Sequence, residues 1–564
     1  KAVTDANGVV TFSGENLVLG GEYSIEAMPI IHNGTQLIKT SIASIQIGTD
    51  DEIQNIEQSR KRLFDFLKLK KIQFLDLYPD FASAAENGQQ LFYTNHLHFN
   101  ADGEALAGKL VSKFVKDNNF LINKTQKGID FQSLFDFLLK VNPKTYVKGF
   151  SDKVNQLLAL NEIYTGNILK GYDLLANTKW PNRKTEAWRY TPLRPVERTA
   201  AKVMADKVNL SPVAIAELSA IELVFVNGQF DQTQLAQTLP EGLSIALGSD
   251  LGSAEQADAL NVFSTIKPER HIFGLVNDAL AKDVVVVSVA QGVEIAEPIR
   301  ISSLLSSGAE SHTRVQVALA AGSKLTVIED VQAQGDSFNT AFVEYNVAAN
   351  ARLEHYRFAL QTGSNVAIGG SHFNLHDHAK MNSTIVGFGS ELSRLDTDII
   401  HAGEFADAKL NAMYLLDGKE LFDLHATVEH AMPNGKTEEN VRCIVADRSR
   451  AIFNGRIHIH RDAQKTLAEL NNRNLLLSDK AEINTKPELE IYADDVKCAH
   501  GATVAQIDKQ ALYYLQTRGV SRSKAQVMLN FGFINELIDL MPNAALAEWI
   551  RPIIRERFAQ MEVK

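Results

Sequence analysis

At 564 residues and 45% hydrophobic content, the sequence predicts a folded protein of two to four domains. Its 68 acidic residues outnumber the 57 basic ones, and the net charge of -11 excludes the basic surface that a nucleic-acid partner requires. The two cysteines, Cys443 and Cys498, exclude a disulfide framework and suit a reducing, cytoplasmic compartment. No apolar run approaches the roughly 20 residues that cross a bilayer, so no membrane partner is expected.

The first 128 residues have the pattern of a small α/β fragment. Residues 1–50 alternate apolar and polar positions between Gly-Gly and Asn-Gly turns, which predicts short strands. A helical period follows over residues 51–69, then a buried strand over 72–77 and an amphipathic helix over 103–115. The next residues, 117–128, are polar and have neither period, which predicts a domain boundary there.

Three further regions follow this fragment. Residues 129–218 are mostly helical in period. Residues 219–503 change to strands rich in β-branched side chains, such as the run from Val284 to Val287. Residues 504–564 return to a helical period. The sequence therefore predicts a mainly β protein whose core has a helical region on each side.

A weak repeat runs through the β-rich region. Four turns combine a small or polar residue, a basic residue and an apolar one, and they end at Leu325, Leu353, Met381 and Leu410. The steps between these residues are 28, 28 and 29 residues. Such even spacing predicts the stacked coils of a solenoid, in which each coil covers the apolar face of the next. An antiparallel sandwich with chance spacing is the alternative.

Cys498 and His500 form a candidate site that follows a predicted strand at residues 489–492 and is expected at the end of that strand, if the strand continues. Positions two apart on a strand point to one face, so the thiol and the imidazole would be presented together. The pair suits iron-sulfur, zinc or copper(I) ligation, but two ligands are too few for a closed site and imply donors from a partner chain. The alternatives are a cysteine nucleophile with a histidine base, or plain packing.

Longer stretches around this pair resemble the SufB/SufD family of iron-sulfur cluster assembly scaffolds. The stretches are residues 474–478, residues 485–503 with the run Lys497-Cys498-Ala499-His500-Gly501, the motif from Trp180 to Thr191, and residues 513–520. They are similar to the family's most diagnostic segment, its N-terminal helical motif and its C-terminal helical region. The resemblance covers about residues 130–564.

The resemblance implies a right-handed parallel β-helix between the two helical regions. It implies a non-catalytic scaffold subunit that pairs with a SufB-like chain as a heterodimer and docks the SufC ABC-type ATPase, two copies per complex. His500 would face the partner's cysteine at the shared interface and is the candidate metal ligand, with Cys498 as its neighbour of lesser role. The chain alone would hold no cluster stably, and a nascent iron-sulfur cluster would form at the interface.

Cysteine usage favours the SufD branch of the family, because SufB-like chains usually carry more than two cysteines. The short helical segment containing Trp188 to Thr191 also resembles the SufD form. A SufB-like paralogue is the alternative. The sequence has no phosphate-binding glycine-rich loop ending in Lys-Ser or Lys-Thr, so ATP hydrolysis is expected from the partner.

The N-terminal fragment, about residues 1–125, resembles the C-terminal part of SGNH (GDSL-type) hydrolases. The similarity lies in residues 74–79 and 93–103, where His98 takes the place of the catalytic base and Asn95 that of its orienting aspartate. An amide cannot stabilise an imidazolium as a carboxylate does, and no Gly-Asp-Ser block supplies a nucleophile. The segment is therefore expected to be vestigial. A serine esterase using His98, or a cysteine hydrolase using Cys498, is the competing hypothesis.

Two histidine pairs and one cysteine complete the set of candidates. His376 with His378 and His458 with His460 have a two-residue spacing, but no cysteine or acidic ligand with suitable spacing accompanies them, so surface or turn positions are expected. Cys443 lies in an alternating strand, where a buried and inert thiol is expected.

Overall fold

The computed structural model describes residues 181–199, 210–252 and 270–562 except positions 237 and 283, with a few positions between 259 and 268 and four short strands before residue 45. The chain divides into two compact units, residues 1–140 and residues 141–564. The domain boundaries expected at residues 128, 218 and 503 stay predictions.

The first unit contains the short strands predicted for residues 1–50. They form two separate antiparallel ladders, β1 with β2 and β3 with β4. The strands are β1 (Val3–Thr4), β2 (Val10–Thr11), β3 (Ser24–Glu26) and β4 (Ser41–Ser44). The other elements predicted for the α/β fragment lie outside the described residues, as do Asn95 and His98.

The second unit is built on two long sheets in which the strands alternate along the chain. The strands are β5 (Ile221–Val226), β6 (Gln229–Phe230), β7 (Leu243–Leu247), β8 (Val285–Val289), β9 (Ile299–Leu305), β10 (Glu310–Leu319), β11 (Lys324–Ala333), β12 (Phe338–Val347), β13 (Arg352–Ala359), β14 (Val366–Leu375), β15 (Lys380–Phe388), β16 (Leu392–His401), β17 (Asp407–Leu416), β18 (Leu421–His430), β19 (Lys436–Val445), β20 (Arg450–Ile459), β21 (Leu467–Leu476), β22 (Glu482–Ile491) and β23 (Lys497–Gln506).

The even-numbered strands from β8 to β22 form one sheet and the odd-numbered strands from β9 to β23 form the other. All neighbours within these two runs are parallel, so each coil contributes one strand to each sheet. Strand β7 joins the first sheet antiparallel to β8, and β5 leads the second sheet with β6 antiparallel to it. The described core is therefore a parallel β-helix, and the alternative of an antiparallel sandwich is wrong.

The repeat predicted from the turns is present, but the predicted length of its last step is wrong. Leu325 pairs with Leu353 and Leu353 with Met381, as the 28-residue steps predicted. Met381 then pairs with Ala408, and not with Leu410. A slip of two residues keeps every side chain on the same face of a strand, so the hydrophobic pattern cannot detect it.

The true repeat is marked by a backbone feature of the turn. Each of four successive turns has one residue with a φ angle between 57° and 71°, in the left-handed region. These residues are Gly322, Asn350, His378 and Phe405. Glycine and asparagine adopt this conformation readily, so they mark such a turn in a sequence, whereas histidine and phenylalanine do not mark it. The sequence therefore does not reveal the correct length of the step that follows Met381.

The interior of the β-helix is filled by alternate side chains of the strands up to β21. The rings of Tyr345 and Phe373, which are register partners on neighbouring coils, have centroids 4.8 Å apart. The rings of Tyr414 and Phe422, on consecutive strands of the two sheets, have centroids 4.9 Å apart. Such coil-to-coil packing supplies the hydrophobic stabilisation that no single coil can have.

Two groups of helices cover the outer faces of the sheets. The helices are α1 (Arg194–Thr199), α2 (Ile272–Leu280), α3 (Lys509–Thr517), α4 (Arg522–Asp539) and α5 (Ala544–Glu562), with short 3-10 helices at Glu186–Trp188, Gln232–Gln234 and Gly248–Asp250. Helix α2 lies on the sheet of even-numbered strands, where Asn277 donates to the hydroxyl of Thr340 at 2.9 Å.

The C-terminal helices begin at well-formed caps. Asp508 accepts hydrogen bonds from the first backbone amides of α3, and Ser521 does the same for α4. Helices α4 and α5 bury an apolar face on the sheet of odd-numbered strands, and Ile550 and Phe558 belong to that cluster. Among the helices that the structure describes, none is both long and apolar enough to cross a bilayer.

Candidate functional site

Cys498 and His500 lie in β23, the last strand of its sheet. Cys498 pairs with Ala468 of β21, and His500 pairs with Leu470. Both partners are buried in the interior of the β-helix. Because paired positions in a parallel ladder point to the same face, Cys498 and His500 both face the interior side. The shared face predicted from their two-residue spacing is confirmed. The predicted position at the end of the strand at residues 489–492 is wrong, because that strand belongs to β22 and these residues lie in β23 of the other sheet.

This side of the last coil is uncovered. Within the part of the chain that the structure describes, β22 and β23 each have a strand neighbour on one side only. Leu470 is 1% exposed, whereas His500, one coil further, is exposed. At the other end of the β-helix, β6 and β7 run antiparallel to the coils and terminate the sheets. We call the uncovered side of β22 and β23 the open end.

The open end exposes apolar side chains beside backbone groups that have no strand partner. Val504 is 47% exposed and Ile491 is 41% exposed. Edge strands of this kind are templates for pairing with another chain unless they are blunted. Pro487, in the middle of β22, removes one backbone donor and is a residue that sheets tolerate at edges.

Cys498 is a half-buried thiol that packs against the end of the hydrophobic core. Burial raises the pKa of the Cys498 thiol above its ordinary value, and the backbone of Ala468 offsets this in part. The thiol is therefore protonated at neutral pH, contrary to what a cysteine nucleophile activated by histidine requires. This weakens the cysteine hydrolase hypothesis.

The donor set at Cys498 and His500 is incomplete. Among the described residues, no third histidine, cysteine or carboxylate converges with these two side chains. Thiolate and imidazole are suitable ligands for iron or zinc, but a closed site needs four donors. The described residues therefore offer at most half of a metal or cluster site at the open end.

The other candidates from the sequence occupy ordinary positions. The Nε2 atom of His376, near a turn, lies within hydrogen-bond distance of the side chains of Asn346 and Asn374. His378 is the residue of that turn with a left-handed backbone conformation. His458 lies in β20 and His460 directly after it, and their rings stack with centroids 4.6 Å apart. Glu429, which no sequence spacing linked to them, lies 2.5 Å from the Nε2 atom of His460. These histidines are surface and turn residues.

Cys443 is fully buried in β19, and burial raises the pKa of its thiol well above the usual range. A neutral thiol without solvent access has no route to a ligand or an oxidant. The structure therefore gives Cys443 a packing position, as expected.

Residues 181–191, the described part of the tryptophan-containing motif, are anchored on β16 and β18. Trp188 is buried, with the guanidinium of Arg394 4.0 Å from its ring centroid. The same guanidinium donates to the carbonyl of Ala187 at 2.7 Å and pairs with Asp423 at 2.8 Å. The hydroxyl of Thr191 donates to Asp423 as well. The motif is thus a structural clamp on the outer face of the β-helix.

Sequence reasoning missed one group of metal-type side chains on the same outer face. His271 precedes α2, His372 lies in β14 and Asp398 lies in β16, and their ligand atoms converge within 4.8 Å. No sequence spacing connects these residues, because three separate elements bring them together.

Comparison with known families matches two consecutive regions of the chain. Residues 169–301 match the family described as SufBD protein N-terminal region. Residues 303–533 match the family described as SUF system FeS cluster assembly, SufBD core domain. The matched core contains the open end with both Cys498 and His500. The hydrolase-like segment before residue 128 lies outside both matches and stays a prediction.

Individual relatives agree with the family match. The chain is 30% identical to the iron-sulfur cluster assembly protein SufD of Escherichia coli, over 68% of this chain and 90% of that protein. It is 29% identical to a SufBD family protein of Synechocystis, over 68% and 88% of the two chains. It is 25% identical to the chloroplastic protein ABCI7 of Arabidopsis thaliana, over 67% and 83%. The chain therefore belongs to the SufBD family of the SUF system for iron-sulfur cluster assembly.

Proposed function

We propose that this protein is a non-catalytic, SufD-type scaffold subunit whose open end is covered by a SufB-type scaffold subunit. The observation that carries the proposal is the position of His500, which faces the interior side of a β-helix but has no coil above it among the residues that the structure describes. A terminal coil that exposes apolar side chains and unpaired backbone groups favours burial against another chain.

The cargo of this interface is a nascent iron-sulfur cluster. His500 supplies an imidazole donor from this chain, and the partner subunit supplies the thiolate ligands that complete the site. Cys498 lies beside it as a protonated thiol with a lesser role. Since neither residue completes a site alone, the chain without its partner holds no cluster stably.

The ATPase partner, of the SufC type, docks on the C-terminal helices. Helix α3 has no buried residue, and its two adjacent rings, Tyr513 and Tyr514, are 69% and 57% exposed. Exposed aromatic side chains are the usual anchors of protein interfaces. One ATPase on this subunit and one on its scaffold partner give two copies per complex. Because both cysteines are free, a reducing compartment such as the cytoplasm suits the assembly.

Co-expression of the chain with SufB-type and SufC-type partners tests this function. We expect a complex that carries iron and acid-labile sulfide after anaerobic purification. The variant His500→Ala is expected to keep the complex and lose most of the bound iron and sulfide. The variant Lys497→Ala is the matched control, since Lys497 is exposed on the opposite face of the same strand. An unchanged content of iron and sulfide in the His500→Ala complex would contradict the role proposed for His500.

A further inference from the structure

Three side chains converge on the outer face of the β-helix. In the sequence they lie far from the residues of the open end. The Nε2 atom of His271 lies 2.6 Å from Oδ2 of Asp398. The Nδ1 atom of His372 lies 2.9 Å from the same carboxylate oxygen. His372 and Asp398 are register partners in β14 and β16, and His271 stands directly before α2.

The environment of His372 is unusual for a histidine that serves packing alone. Its side chain is fully buried, and within the described part of the chain neither ring nitrogen has a well-directed hydrogen bond, although Nδ1 is close to Asp398. The ring lies between His271 and Phe342, with centroid distances of 5.3 and 5.9 Å. A buried imidazole without a well-directed hydrogen bond costs free energy, which a ligand at its nitrogen would recover.

We propose that His271, His372 and Asp398 bind a first-row divalent transition metal ion, with Zn²⁺ as the representative ion. Two imidazoles and one carboxylate are a ligand set that suits Zn²⁺ or Fe²⁺ and does not suit Mg²⁺ or Ca²⁺. Tetrahedral ligands about 2.1 Å from zinc lie roughly 3.4 Å apart, so the observed contacts of 2.6 and 2.9 Å need to widen by less than 1 Å. Water completes the coordination.

The surroundings provide both a supporting shell and a route for the ion. The Nδ1 atom of His271 faces Asp396 at 3.7 Å, and Asp396 is held by Arg394 at 2.9 Å. A carboxylate behind a metal-binding imidazole orients the ring and increases its basicity. Arg270 pairs with the other oxygen of Asp398, and its side chain is 51% exposed. Movement of this guanidinium into solvent opens the carboxylate to an incoming ion.

The bound ion would link α2 to two successive coils of the β-helix. This site goes beyond the proposed scaffold function, because its residues are not part of the open end. A metal-free network is the physical alternative, in which Asp398 is satisfied by Arg270 and His271 alone. The two alternatives differ in whether the full chain takes up zinc at this site.

Calorimetric titration of the chelator-treated full chain with Zn²⁺ tests the proposal. The chain carries Cys498→Ser and His500→Ala so that the open end contributes no ligands. We expect one zinc per chain, and a tetrahedral absorption spectrum when Co²⁺ replaces Zn²⁺. His271→Ala and Asp398→Asn are each expected to weaken zinc binding at least tenfold. His376→Ala, a histidine of a turn, is the matched control and is expected to leave binding unchanged.

The variants are chosen so that misfolding is distinguishable from loss of the site. His271 is less buried than His372, and its truncation leaves the β-helix core intact. Melting temperatures without metal verify folding, and zinc is expected to raise the melting temperature of the parent chain only. No zinc uptake by the parent chain, or equal uptake by the His271→Ala and Asp398→Asn variants, would overturn the proposal.

Discussion

Leu470 and His500 are register partners on the last two coils of the odd-numbered sheet, yet Leu470 is 1% exposed and His500 is exposed. The difference arises because Leu470 is covered by the next coil, while His500 has no coil above it among the described residues. The side chain of His500 faces the core at a position where the core is open. Such a side chain is suited to an interface with a second chain.

The N-terminal clamp makes a prediction about stability. Trp188→Ala removes a buried ring that packs on Phe273 at 5.2 Å and on the guanidinium of Arg394. We expect a loss of about 3–5 kcal/mol in the free energy of unfolding, measured by denaturant titration. The control Tyr190→Ala, which truncates a 41% exposed ring, is expected to change it by less than about 0.5 kcal/mol. Equal effects of both variants would contradict the clamp.

Glu439 makes a prediction about pH. It is fully buried in β19, and neither carboxylate oxygen has a hydrogen-bond partner among the described residues. Burial raises the pKa of Glu439 to about 8. The folded state therefore keeps a proton that the unfolded state releases above its ordinary pKa of 4.5. The free energy of unfolding should fall as pH rises from 4.5 to 8, by roughly 1.4 kcal/mol per pH unit at most.

Glu439→Gln is expected to remove this slope and to stabilise the protein at pH 8 relative to the parent chain. Urea titrations at pH 5 and pH 8 measure the difference. The neighbouring Glu438 is the matched control, since a hydrogen bond from Asn440 lowers its pKa, and its effect is confined to acidic pH. A Glu439→Gln variant with the same pH slope as the parent chain would show that Glu439 is ionised in the fold.

Cysteine reactivity gives a third prediction. Because burial raises the pKa of Cys498, alkylation by iodoacetamide should be slow at pH 7 and should accelerate as pH rises past the ordinary thiol pKa of 9.0. Cys443 is fully buried and should react only after unfolding. Mass spectrometry of the alkylated protein resolves the two sites. Rapid labelling of Cys498 at pH 7 would instead support a thiolate and restore the cysteine hydrolase hypothesis.

The two exposed rings of α3 give a fourth prediction. A double variant, Tyr513→Ala with Tyr514→Ala, should bind the SufC-type ATPase at least tenfold more weakly, because aromatic anchors contribute most of the energy at interfaces. Its melting temperature should match that of the parent chain, since neither ring is buried. Leu540→Ala, at a 52% exposed position after α4, is the control. Unchanged ATPase affinity of the double variant would exclude α3 as the docking surface.

The architecture was predictable because the coils of a β-helix appear as a regular repeat in the amino-acid sequence. The 28-residue steps at Leu325, Leu353 and Met381 are the pairing register itself. The slip at Leu410 occurred because a period of two cannot distinguish registers that differ by two residues. The shared face of Cys498 and His500 was likewise predictable from strand geometry.

Other features depend on elements that are distant in sequence. The convergence of His271, His372 and Asp398 requires the register of β14 with β16 and the placement of α2, and no local pattern specifies these. The charged clamp between Arg394 and Asp423 has the same origin. Within the described part of the chain, His500 is exposed because no coil covers it, and this is a property of the assembled fold.

The interior side of the open end provides a matched pair of substitutions. Val504 and Thr503 are exposed neighbours in β23. Only Val504 faces the interior side, where its register partner in β21 is the buried Asn474. Val504→Asp would place an unpaired carboxylate in the interface, which costs several kcal/mol. Thr503→Asp places the same charge on the opposite face. Both variants should fold like the parent chain, because both positions are exposed.

The native mass of the complex purified with the SufB-type and SufC-type partners tests the central claim most directly. We predict a heteromeric complex for the parent chain and for Thr503→Asp, and a chain separated from its scaffold partner for Val504→Asp. A Val504→Asp complex with the same mass as the parent complex would contradict an interface at the open end of the β-helix.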